Sequence, residues 1–136
     1  MFLLDTNIIS DLIRNPSGPA MRRIEAAGEA NVVTSVVVAG ELLYGCAKKG
    51  SPRLTERVEA ILDEMVILPV SPEVAALYGA IRADLERYGA PIGQNDLWIA
   101  AHAMASKATL VTANTGEFCR VEGLVVENWI DSDRAP

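Results

Sequence analysis

The chain has 136 residues, half of them hydrophobic, with few aromatics and a formal net charge of −6. That length suits one domain with its own core, and the charge excludes a protein that coats nucleic acid through a general basic field. No apolar run approaches the roughly 18 residues of a membrane span, and the apolar start lacks a basic leader and is broken by Asp5, so neither a membrane anchor nor a secretory signal is expected and the cytoplasm is the expected compartment.

A first strand, FLL (2–4), runs directly into Asp5. Thr6 to Arg14 follows as a helix with Ile8, Ile9, Leu12 and Ile13 at helical spacing, and Met21, Ile24 and Ala27 mark a second, short one. The run VVTSVV (32–37) predicts the second strand, and the helix VVAGELLYGCAKK continues from it with Leu42, Leu43 and Cys46 on its core face. Ser51-Pro52 and Ser71-Pro72 each read as a capping serine followed by proline at the first helical position, where its missing N–H is harmless. Their helices extend to about Glu64 and about Arg87, with Gly89 as a stop after the second, and VILPV (66–70) lies between them as a third strand. A helix from about Asn95 to Ser106 and strands at TLVT (109–112) and LVV (124–126) complete the pattern. Alternating helices and continuously apolar strands predict an α/β fold, a three-layer arrangement with a mostly parallel central sheet covered by helices on both faces. One domain over 1–130 is expected, with DSDRAP (131–136) as a C-terminal tail. Cys46 and Cys119 show no metal-ligand spacing and read as buried free thiols.

In an open parallel sheet, ligands bind outside the carboxyl ends of the strands. Asp5 follows the first strand, Glu41 lies about a turn into the helix after the second, and Asp96 opens the helix after GAPIGQN. Asn114 follows TLVT by one residue, with Glu117 a turn further on. Singly, each has a structural explanation: Asp5 and Asp96 as helix caps, Asn114 as a turn residue, Glu41 and Glu117 as surface groups. Together they project from one predicted edge. Crowded carboxylates raise one another's pKa values unless a cation neutralises them, and an oxygen donor set selects Mg²⁺ or Mn²⁺; a structural zinc site would want Cys and His. Such a centre activates water for attack on a phosphodiester.

Other chemistries lack their residues. His102, the only histidine, is six residues past Asp96 and about 120° around the helix, which reads as packing or surface. GCAKKGS lacks the Lys-Ser/Thr of a phosphate loop, and a dehalogenase-like phosphatase would want a second Asp where Asn7 stands. Lys48, Lys49 and Arg53 form either a solvated helix-end cluster or a rim that contacts phosphates. Tyr44, Trp98 and Trp129 read as core or interface aromatics.

The strings LLDTNIIS, SVVVAGELLYG, IGQNDLWIAAHA and LVTANTGEF followed by GLVVENW, in this order and spacing, resemble the PIN-domain ribonucleases, specifically the VapC-type toxins of type II toxin–antitoxin pairs. The resemblance implies a metal-dependent endoribonuclease that cuts structured RNA such as tRNA or rRNA. It also implies a homodimer held by a VapB-like antitoxin that alone contacts operator DNA. Carried over by motif, Asp5, Glu41 and Asp96 are the catalytic acids, Asp5 and Asp96 the metal ligands, and Thr6, Asn7 and Thr112 supporting residues. Many relatives carry a fourth acid where this chain has Asn114, so one well-defined metal position is implied, with Glu117 as a substitute partner. Two other readings compete: a non-catalytic module that binds RNA or protein, and a metal-dependent nuclease for single-stranded DNA.

Overall fold

A computed structural model describes residues 1–130; the expected tail, 131–136, lies outside the described residues. In chain order, strand β1 (Phe2–Leu4) leads into helix α1 (Thr6–Arg14), then α2 (Pro19–Ala27) and a 3-10 turn (Glu29–Asn31). Strand β2 (Val32–Ser35) passes without a break into α3 (Val36–Lys49), followed by α4 (Pro52–Glu64) and β3 (Val66–Leu68). Helices α5 (Pro72–Arg87) and α6 (Gln94–Ala105) precede β4 (Thr109–Val111), and the short α7 (Thr115–Phe118) precedes β5 (Val126–Glu127).

The five strands form one sheet in the order β3-β2-β1-β4-β5. Every pairing is parallel. Successive side chains on a strand point to opposite faces, yet Leu3 and Leu4 are both fully buried, as are Leu110 and Val111. Helices therefore cover both faces of the sheet, as the continuous apolar runs predicted.

From β1 the chain adds strands on one side and then returns to add β4 and β5 on the other. Strand order reverses between β1 and β4, which creates a crevice at their carboxyl ends. Asp5 and Thr112 are the first residues beyond those two strands.

Several strand ends differ from the sequence reading. The second strand stops at Ser35 because the Ser35 hydroxyl accepts the Val37 N–H at 3.0 Å and caps α3, so Val36 and Val37 are helical. The third stops at Leu68, before Pro69, which has no N–H for a ladder. The last lies at 126–127 instead of 124–126: Gly123 turns the chain at φ +85°, and Leu110 N–H reaches Val125 O while Thr112 N–H reaches Glu127 O. Leu42 and Cys46 face the core from α3, but Leu43, rotated by about 100° from Leu42, is exposed. Cys119 is also exposed; only Cys46 is a buried thiol. Ser51 caps α4 through its hydroxyl, whereas Ser71 holds the cap position of α5 without a side-chain bond.

Candidate active site

Asp5 is only 4% exposed, at the point where β1 becomes α1. Its backbone N–H donates to Val111 O, which extends the β1–β4 ladder by one bond and fixes the residue at the switch point. One carboxylate oxygen accepts Thr6 N–H at 2.8 Å; the other accepts the Thr112 hydroxyl at 2.7 Å and the Asn7 amide at 3.3 Å. Burial pushes the Asp5 pKa up, these donors pull it back, and the charge of Glu41 adds to the rise.

Thr112 is completely buried and its hydroxyl is a hub. It donates to Asp5 while accepting Asn114 N–H at 3.0 Å and Asn7 Nδ2 at 3.3 Å. Asn7 closes the network by accepting Ala113 N–H through Oδ1 at 2.9 Å. The start of α1 and the end of β4 are thus held together by side chains 105 to 107 positions apart in sequence.

Glu41 projects from α3 and is fixed from two directions: the Thr6 hydroxyl donates to Oε1 at 2.5 Å and the Asn95 amide to Oε2 at 3.2 Å. Asp96, in the first turn of α6, lies beside Asn114 and Glu117. The Asn114 amide donates to Glu117 at 2.6 Å and to Asp96 at 3.4 Å, tying the two carboxyls together. Burial raises the Asp96 pKa to about 7, assisted by its hydrogen bond to Glu117 and by the charges of Asp5, Glu117 and Glu41. The Asn114 amide and the bond from Asp96 hold Glu117 low, so Asp96 keeps the shared proton.

Asp5, Thr6, Asn7, Glu41, Asp96 and Asn114 line one cavity of about 420 Å³, with Ser10 and Arg14 completing its wall. The structure therefore brings together the three acids and the amide singled out from sequence. Glu117 joins this group through Asn114 and Asp96, and the Thr112 hydroxyl is bonded to Asp5. Lys48, Lys49 and Arg53 are exposed at the α3–α4 connection and do not line the cavity. Ser10 and Arg14 escaped sequence reasoning, although their offsets of three and seven from Asn7 place all three on one face of α1. His102 is a packing residue: it is buried, bonded at 2.7 Å to Ser35, and held below its ordinary pKa by burial.

The donor set consists of carboxylate, hydroxyl and amide oxygens, which suits a hard divalent cation. Among the described residues no three Asp, Glu, His or Cys side chains close tightly enough to enclose an ion unaided. Mg²⁺ keeps several waters and takes one or two carboxylates, a part that Asp5 and Asp96 would fill. A divalent charge there would offset the negative charges of Asp5, Glu117 and Glu41, which add to the burial and the Glu117 hydrogen bond that raise the Asp96 pKa.

Comparison with known proteins places the chain in a family. The PIN domain family matches residues 2–124. Ribonuclease VapC2 of Rickettsia felis is 37% identical over 131 residues, covering 95% of this chain and 98% of its own. A tRNA(fMet)-specific endonuclease VapC of Shigella flexneri is 36% identical, covering 94% and 97%. Among solved structures, VapBC2 from Rickettsia felis bound to a fragment of its promoter superposes with a TM-score of 0.87 at 35% identity, over 94% of this chain and 98% of that one. DNA-bound VapBC from Salmonella typhimurium also gives 0.87, at 33% identity and 94% and 97% coverage.

Proposed function

The chain belongs to the PIN-domain family and within it to the VapC ribonuclease toxins of VapBC toxin–antitoxin pairs, and from that premise we propose that it is a Mg²⁺- or Mn²⁺-dependent endoribonuclease acting on structured cellular RNA in the cytoplasm. The observation that carries the reading is the convergence of Asp5, Glu41 and Asp96 on one cavity at the switch point of the sheet. The name of the Shigella relative supports tRNA as the first substrate to test, with rRNA second.

Asp5 and Asp96 would hold the ion, with Asn114 and Glu117 beside Asp96. When bound there, a divalent cation lowers the pKa of a coordinated water and offsets charge on the phosphodiester. The protein's own contribution is positional. Thr112, Asn7 and Thr6 N–H keep Asp5 in a single orientation, and Thr6 and Asn95 clamp Glu41, which is free of backbone duties and suited to accept a proton from the attacking water. Asn114 contributes an oriented amide instead of a fourth negative charge.

A VapB-type antitoxin is the expected partner. An apolar groove of about 400 Å³ between α1, α2 and α4, lined by Leu12, Ile13, Met21, Ile24, Ile61 and Met65, offers it a docking surface. The net charge of −6 gives the toxin no basic field of its own, so operator DNA is met only through the antitoxin. A homodimer is supported by apolar side chains exposed on the touching elements α3 and β3: Val36, Leu43, Tyr44, Val66 and Ile67. No helix among the described residues is long and apolar enough to cross a membrane.

The test is cleavage of total RNA by wild type, Asp5→Asn and Asp96→Asn, with cut ends mapped. Cleavage by the wild type should require Mg²⁺ or Mn²⁺, stop with chelator, and fall at least 100-fold in either variant while each stays folded. Undiminished cleavage in the variants defeats the mechanism, and equal cleavage of single-stranded DNA defeats the substrate assignment.

A further inference from the structure

The three acids of the cavity have an unexpected neighbour. Arg14 sits in the last turn of α1 and its side chain forms part of the wall that also contains Asp5, Glu41 and Asp96. It is the one cation among the described residues lining that space. Opposite charges sharing a cavity ordinarily pair. The ion pairs among the described residues, however, are Arg23 with Glu127, Arg82 with Glu86 and Arg87 with Asp84. Arg14 comes within 4 Å of none of the acids around it.

Local structure explains both facts. Thr6, Asn7, Ser10 and Arg14 follow one face of α1, while Ile8, Ile9 and Leu12 anchor the other in the core. The nearest acids are already committed: Asp5 to Thr6, Asn7 and Thr112, and Glu41 to Thr6 and Asn95. Arg14 thus ends the α1 stripe as an exposed residue that shares the cavity with the carboxylates and is bonded to none of them. A helix C-terminus with its partial negative charge favours a cation there but does not explain why the side chain lines this cavity. Its free donors match the two oxygens of a phosphodiester, which guanidinium binds as a fork.

We propose that Arg14 holds a backbone phosphate of the RNA at the mouth of the carboxylate cavity. The assignment rests on the ribonuclease reading and adds to it the group that draws a polyanion towards an acidic pocket on a chain of net charge −6. A polyanion approaching Asp5, Glu41 and Asp96 meets repulsion unless a fixed positive charge stands beside them. Arg14 supplies that charge without neutralising the acids. It is a binding residue and takes no part in proton transfer.

The experiment measures binding of fluorescently labelled bulk bacterial tRNA by anisotropy in EDTA between 50 and 300 mM KCl. It compares wild type, Arg14→Ala, Arg14→Lys and Arg87→Ala, the last removing a charge from α5 outside the cavity. Removing one phosphate contact lowers the magnitude of the log Kd against log salt slope by roughly 0.7 to 0.9. Arg14→Ala should show that change together with roughly tenfold weaker binding at low salt. Arg14→Lys should keep the slope while losing part of the affinity, and Arg87→Ala should match wild type. In matched cleavage assays with Mg²⁺, Arg14→Ala should raise KM with little change in kcat. An unchanged slope in Arg14→Ala, or an equal change in Arg87→Ala, overturns the assignment while leaving the ribonuclease reading intact. Failure of the wild type to bind or cleave any RNA overturns both.

Discussion

Thr112 shows how much a single buried hydroxyl does in this site. It is a donor to one acid and an acceptor for two N–H groups, so it couples the orientation of Asp5 to that of Asn7 and to the backbone leading to Asn114. Thr112→Val keeps the shape and removes all three bonds; it should lower stability by about 1–3 kcal/mol and cleavage by about 10- to 100-fold. Thr112→Ser should restore most of both, as read by chemical denaturation and initial rates. Asp96 behaves in the opposite sense. Its folded pKa, about 7, lies above the ordinary 3.8, so the folded chain resists its ionisation. The cost is absent when both states are protonated, grows as pH rises from about 4 to 7, and is complete above 7. In EDTA, Asp96→Asn should therefore melt higher than wild type at pH 8, by on the order of 1 kcal/mol after allowing for partial solvent screening. The advantage should shrink towards pH 4. Added Mg²⁺ should raise the melting temperature of the wild type and leave the variant unmoved.

At the level of elements, the acids are positioned by where helices begin. Ser35 caps α3, which carries Glu41 six residues later, and its hydroxyl is hydrogen-bonded to Nδ1 of His102 on α6, six residues after Asp96. One buried bond thus joins the two helices that deliver Glu41 and Asp96. Burial keeps the His102 pKa below 6.5 in the folded chain, with the Pro69 carbonyl opposing the shift. Below pH 6.5 the unfolded chain takes up a proton that the folded one refuses, so this group lowers stability as pH falls until its folded pKa is reached. His102→Gln should abolish that component and cost about 1 kcal/mol at pH 8 through the altered bond to Ser35. Because Asp96 is untouched in the variant, subtracting its pH–stability curve from that of the wild type isolates the histidine. Helix starts were also what the sequence displayed best: proline after serine at 51–52 and 71–72 marked α4 and α5. Strand ends were harder, because Val36 and Val37 favour strands by propensity and become helical only because Ser35 caps them. His102 was legible as a packing residue, but its partner was not, since nothing in the spacing of 35 and 102 announces a contact.

For the whole molecule, apolar runs and their alternation with helices were enough to indicate a covered parallel sheet, and the acids at its carboxyl edge indicated the site. Strand order was not legible, and it is strand order that places β4 beside β1 and brings Asn114 to Asp96. The cation of the cavity was hidden for a related reason: Arg14 resembles an ordinary helix-ending residue until the pocket around it is seen. Surface was only partly legible too. β3 is an outer strand with Val66 and Ile67 exposed, and α3, which touches β3, exposes Leu43 and Tyr44. An uncovered apolar edge invites pairing with another chain. Sedimentation should find wild type dimeric and Tyr44→Glu/Val66→Glu monomeric, with far-UV circular dichroism unchanged. A monomeric wild type would refute the dimer assignment.

The strand order also sets a timetable. The apolar groove is built from residues 4 to 65, whereas the carboxylate cavity needs Asp96 and Asn114. Domains are synthesised from the N-terminus at about 5–20 residues per second, so the groove's residues leave the ribosome roughly 2–10 s before the last residue of the cavity. A nascent chain therefore displays all the residues of its apolar groove while Asp5 still lacks Thr112 and Asp96 still lacks Asn114. Cleaving activity can begin only with nearly the whole chain made. A partner that recognises the groove has that interval in which to arrive first.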